Sequence, residues 1–143
     1  MRILLVVLGS AVAFVASACG GSNQSSEVKG VPWRWSGLLQ GGDSTGLFPI
    51  PDPENYLLRL DEDGSFIAKA DCKSLGGTYS LSGSELTLDL GSTTKRSCGK
   101  DSRSDEYIGL LAKVATYEIH EEGALALGLQ DDAGYMYFYV SAE

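Results

Sequence analysis

Histidine, cysteine and positive charge are all scarce in this chain of 143 residues, which holds one His, three Cys and 11 Lys and Arg against 19 Asp and Glu. Each shortage excludes something. With His120 alone, there is no histidine-based metal set, and the usual base for a serine or cysteine nucleophile has a single candidate. The net charge of -8 repels phosphate backbones and anionic headgroups, which argues against nucleic-acid binding and electrostatic membrane docking. Apolar runs are short as well. Ile3 to Val15 follows one basic residue, Arg2, and ends in Ala16-Ser17-Ala18 before Cys19. A helix needs about 20 apolar residues to span a bilayer, so residues 1–18 read as a removed secretory signal rather than a membrane span.

Val15-Ala16-Ser17-Ala18-Cys19 resembles the lipobox of bacterial lipoproteins, in which peptidase cleaves before a diacylated cysteine. The resemblance implies a palmitate-type anchor on Cys19 and a place in the cell envelope. The position three before the cysteine is usually a large aliphatic and is Ala16 here; ordinary cleavage after Ala18, leaving Cys19 free, is the alternative. Gly20 lacks the Asp that retains many lipoproteins at the inner membrane, which implies an outer-membrane anchor facing the periplasm if the source is Gram-negative.

With Cys19 acylated, Cys72 and Cys98 form an even pair in an oxidising compartment and are expected to be disulfide-bonded. Residues 19–31 are rich in Gly and Ser, with Val28 as the aliphatic side chain of Gly20 to Gly30. They are expected to be a flexible tether, followed by one domain over residues 32–143.

Within that domain the dominant period is two. Trp33 to Leu39 reads as a strand with both tryptophans on one face. The Gly-rich, three-proline stretch from Gly41 to Asn55 reads as a surface loop. Tyr56, Leu58 and Leu60 share a face, Asp61 to Gly64 turns the chain, and Phe66, Ala68, Ala70 and Cys72 return on the same face. A bend or bulge is expected at Gly76-Gly77. Beyond it, Thr78 to Leu81 and Leu86 to Leu90 form a second hairpin, which directs Tyr79, Leu81, Leu86, Leu88 and Leu90 inward. Thr93 to Cys98 is a short β-prone segment. Tyr107, Ile108, Leu111, Val114 and Ala115 recur at helical spacing, predicting a helix from Asp105 to Ala115. Three more strands follow, over Thr116 to His120, Leu125 to Leu129 and Tyr135 to Val140. The expected fold is mainly β with one α-helix (α+β), a curved antiparallel sheet or partial barrel of about eight strands with the helix packed on it.

No nucleophile elbow is present, and the acidic clusters sit at hairpin turns, where burial does not tune their acidity. No catalytic, metal or cofactor site is expected. Lys73, Lys95, Arg96 and Lys100 gather near Cys72 and Cys98, as a local basic patch or as balancing charge. Trp33, Trp35, Tyr135, Tyr137 and Tyr139 are the candidates for a partner surface, packing being the other fate of such rings and the commoner one for the tryptophans.

Tyr56 to Gly64, Ala70 to Tyr79, Leu86 to Leu88 and Thr94 to Cys98, continued by Ser104 to Ile119 and Leu125 to Phe138, resemble the META domain, also called HslJ-like. The resemblance implies an exported or lipid-anchored envelope protein, in some members linked to stress response. It also aligns the family's two domain cysteines with Cys72 and Cys98, and assigns no catalytic residue. The common Gly-Cys-Asn is Asp71-Cys72-Lys73 here. The expected function is a non-enzymatic cell-envelope lipoprotein, a binding or stress-related envelope module held to the membrane by lipid on Cys19, with an envelope protein or a small ligand as its partner. The alternatives are a lipocalin-like carrier of a small apolar ligand in a barrel interior, and an inhibitor of an exported hydrolase.

Overall fold

The computed structural model describes residues 24–41 and 46–141; Cys19 and the signal lie outside them. Helix α1 (Gln24–Val28) precedes strand β1 (Trp33–Gln40) and a two-residue strand β2 (Phe48–Pro49). Then come β3 (Tyr56–Leu60), β4 (Ser65–Ala70), β5 (Lys73–Ser82) and β6 (Glu85–Thr93), helix α2 (Ser104–Leu111), β7 (Val114–Ile119), β8 (Leu125–Leu129) and β9 (Gly134–Val140). Every strand pairing is antiparallel, and from β3 onward each strand lies beside its sequence neighbour. The last strand returns to the first, from Trp33↔Val140 to Gln40↔Gly134.

That pairing closes an eight-stranded barrel, so the expected partial barrel is corrected to a closed one. On its other edge β1 meets β3 at Trp33 and Arg34, and the short β2 takes over at Gly37 and Leu38. Closure removes the free sheet edges that would otherwise template aggregation. The thinnest seam lies between β6 and β7, which pair only at Glu85↔Thr116.

Alternation places the core as the pattern requires. Tyr56, Leu58, Leu60, Phe66, Ala68 and Ala70 are all buried, as are Leu86 and Leu88, while Tyr79, Leu81 and Leu90 are half-buried. Gly76-Gly77 forms a bulge within β5 rather than a bend between strands. A Cβ at Gly77 would lie 2.0 Å from the Asp89 carbonyl oxygen, so the close approach of β6 needs glycine there.

The helix connecting β6 to β7 supplies what the strands cannot. Tyr107 is fully buried, and its ring stacks on Trp35 at 5.2 Å and meets Tyr56 edge-on at 5.6 Å and Phe138 at 6.4 Å. Its hydroxyl donates to the Leu57 carbonyl at 2.9 Å, and burial pushes the phenol well above its ordinary pKa. One turn later, Leu111 is also fully buried. The helix ends at Leu111, not Ala115, because Val114 pairs with Leu129 and so belongs to β7.

The opposite end of the barrel differs from the expected tether. Val28 is fully buried, its carbonyl accepts the Trp33 indole N–H at 3.0 Å, and the Gly30 N–H donates to the Leu60 carbonyl at 2.7 Å. Buried Val28 and these backbone contacts help to order residues 24–30, which composition alone assigns to a linker. Residues 94–98, expected to be β-prone, carry no regular structure and lead to the disulfide.

Tyr107→Ala empties an aromatic site that cannot collapse between rigid strands, and is expected to lower stability by about 3–5 kcal/mol. Tyr107→Phe strands only the Leu57 carbonyl and should cost about 1 kcal/mol. Urea unfolding of both variants measures the difference.

Candidate functional site

The barrel wall sorts the aromatic candidates by strand parity. Trp33 and Trp35 point inward at 3% and 0% exposure, their indole N–H groups donating to the Val28 and Gly37 carbonyls. They are core, which corrects their candidacy as partner surface. On β9, Met136 and Phe138 point inward instead, and this puts Tyr135, Tyr137 and Tyr139 outside.

The three tyrosines form a row down the outer wall. Tyr135 and Tyr139 are 45% and 39% exposed, Tyr137 is half-buried between them, and the Tyr135 and Tyr137 ring centroids lie 6.4 Å apart. Small neighbours lay the row bare. Gly128 and Ala126 of β8 pair with Tyr135 and Tyr137, and Gly37 of β1 pairs with Tyr137 from the other side. A Cβ at Gly128 would sit 2.1 Å from the Thr116 hydroxyl and 3.3 Å from the Tyr135 ring. Leu47, 51% exposed, lies over Gly37 and extends the apolar area.

Carboxylates border this face. The Tyr137 phenol is pushed up first by partial burial, then by Tyr135, Glu118, Glu122 and Tyr139. The His120 ring meets Tyr137 edge-on at 6.0 Å. Clefts of about 340 and 380 Å³ flank Tyr135, one walled by Gln40, Thr116 and Asp132, the other by Thr116 and Glu118. The nearest cation in the pairing pattern is Arg34, opposite Tyr139, and Glu54 already holds it at 2.5 Å. Glu54 also accepts from the Ser141 hydroxyl; these two bonds, Ser141 first, hold its carboxyl below the usual range.

At the helix α2 end, Cys72 and Cys98 are disulfide-bonded, with Cα atoms 5.5 Å apart. Asp71-Cys72 is the two-residue turn between β4 and β5, and Asp71 adopts φ 60°, a region that Asp tolerates better than most non-glycine residues. The bridge fastens the irregular segment before α2 to this turn. Of the nearby basic residues, Lys73 is taken by Asp105 at 2.5 Å, whereas Lys95, Arg96 and Lys100 are exposed on the loop. At the acidic β3–β4 turn, Asp63 accepts from the Ser65 hydroxyl and backbone N–H, which lowers its pKa. The Tyr79 hydroxyl donates to the Asp61 carbonyl. These bonds give the turn a local structural role. Among the described residues, no group of three His, Cys, Asp or Glu could hold a metal ion.

A model of the META domain matches residues 26–142. The chain belongs to the META domain family. No curated protein matches it. Two solved structures resemble this META domain: an NMR structure of a protein from Burkholderia xenovorans, 19% identical with a TM-score of 0.63, covering 99% of this chain and 100% of that one; and a crystal structure of a DUF4847 family protein from Bacteroides vulgatus, 13% identical with a TM-score of 0.63, covering 85% of this chain and 99% of the other. At these identities the likeness concerns the fold.

In the chain-entropy picture, a bridge across 26 residues stabilises by about 3–4 kcal/mol. Cys72→Ser is therefore expected to lower the melting temperature of this META domain under oxidising conditions. An unchanged melt would remove the structural role from the bridge.

Proposed function

We propose that this META domain is the folded part of a non-enzymatic cell-envelope lipoprotein, anchored through Cys19, that binds a partner protein through its outer tyrosine row. One contrast carries the reading. The barrel interior is filled by the chain's own rings and aliphatics, Trp35, Phe66, Tyr107 and Phe138 among them, whereas Tyr135, Tyr137 and Tyr139 offer rings to the outside. Tyrosine gives large contact area at low entropic cost and is enriched among the residues that dominate interfaces. Glu118 and Glu122 beside the row favour a partner with Lys or Arg at the contact. The lipocalin-like alternative loses support because the interior it requires is occupied, and no feature of the turns favours the inhibitor alternative.

In-cell crosslinking of the full-length lipoprotein should enrich one envelope protein. Tyr135→Ala with Tyr139→Ala removes two exposed rings at little cost to folding. If each ring contributes about 2 kcal/mol to binding, the double variant should lose the partner almost entirely. Undiminished recovery, or a partner captured equally by the Cys19→Ala chain in soluble extract with both rings removed, would contradict the reading.

A further inference from the structure

A larger concavity than the clefts beside Tyr135 lies on a different face of the barrel, outside β3, β4 and β5, with a volume of about 590 Å³. Pairing across these strands sets two rows side by side, Arg59, Ile67 and Gly76 in one, Leu57, Lys69 and Ser74 in the other. Gly76 has no side chain and Ser74 a short one, so the outer surface of β5 is a trough beside Ile67, which is 48% exposed. Pro32 and Ser92 also line it, and the exposed lining is mostly apolar.

The two charged residues that line the trough, Arg59 and Lys69, are both basic. Arg59 is already held by Asp61 at 2.7 Å. Exposed Lys69 takes part in none of the ion pairs among the described residues, and influences Glu54 only through space while Arg34 and Ser141 occupy that carboxylate. An apolar trough with one available ammonium at its rim is complementary to an apolar chain that ends in one negative charge. The volume falls within the ~300–1,000 Å³ usual for small-molecule sites.

We infer that this groove binds a free single-chain aliphatic carboxylate, with the chain along Ile67, Leu57 and Gly76 and the carboxylate on Lys69. The site is independent of the tyrosine row and of any protein partner. It also differs from a lipocalin site, because the ligand lies on the outer wall.

Full-length protein in phosphatidylcholine nanodiscs, irradiated with a diazirine analogue of palmitic acid and mapped by mass spectrometry, tests the assignment. Labelling should concentrate between Leu57 and Gly76. Lys69→Glu and Ser74→Trp, both at exposed positions, should each reduce it at least fivefold with the melting temperature unchanged. A diazirine phosphatidylcholine in the same discs should label this segment weakly. Equal labelling by the two probes would mean that the groove merely rests on the bilayer and would overturn the inference. Labelling that survives both substitutions, or is spread over the surface, would overturn it too.

Discussion

Everything in this barrel depends on where the Tyr107 ring goes. Eight short strands close around a space that inward-facing strand residues alone do not fill, and the helix between β6 and β7 inserts Tyr107 among Trp35, Tyr56 and Phe138. Those partners come from β1, β3 and β9, so one side chain joins the first strand, the last strand and the helix. Its hydroxyl is satisfied by the Leu57 carbonyl, which removes the penalty for burying it. The disulfide acts on the same element from outside, by shortening the excursion that leads into the helix.

A barrel filled in this way has only its outer wall to offer. On β9, strand parity sends Met136 and Phe138 in and the tyrosines out, and Gly128, Ala126 and Gly37 leave the rings uncovered. On β3 to β5 the same parity sends Leu57, Ile67 and Lys69 out, beside the small Ser74 and Gly76 of β5. The two faces differ in charge. Carboxylates border the tyrosines, and a lysine borders the trough.

Much of this was legible in the order of residues. The alternation from Tyr56 to Ala70 dictated a hairpin and its inward face, because a slip of one residue would turn every apolar side chain to water. The hairpins over Thr78 to Leu90 and Leu125 to Val140 follow from equally local signals, and the Cys72–Cys98 bridge from the count of cysteines. Closure by β1 with β9 does not, since it pairs residues about a hundred positions apart, and no local pattern encodes which edges meet. The parity of Trp33 and Trp35 was clear, but not which side of the wall they face; that is decided by Tyr107. Helix α1 was hidden by its composition, because the burial of Val28 helps to order a segment that otherwise reads as a linker. The groove was invisible for another reason. It arises from the juxtaposition of Gly76, Ser74 and Ile67 on adjacent strands, and depends on the register between β4 and β5.

Hydrogen exchange of the native protein, resolved amide by amide, tests the central claim that helix α2 is a fixed part of the barrel core. The account predicts that the amides of Tyr107 to Leu111 exchange as slowly as those of β1 and β9, all opening only in global unfolding. Exchange of the helix orders of magnitude faster, with the strands still protected, would make it a lid over an accessible interior and return the search for function to the inside of the barrel.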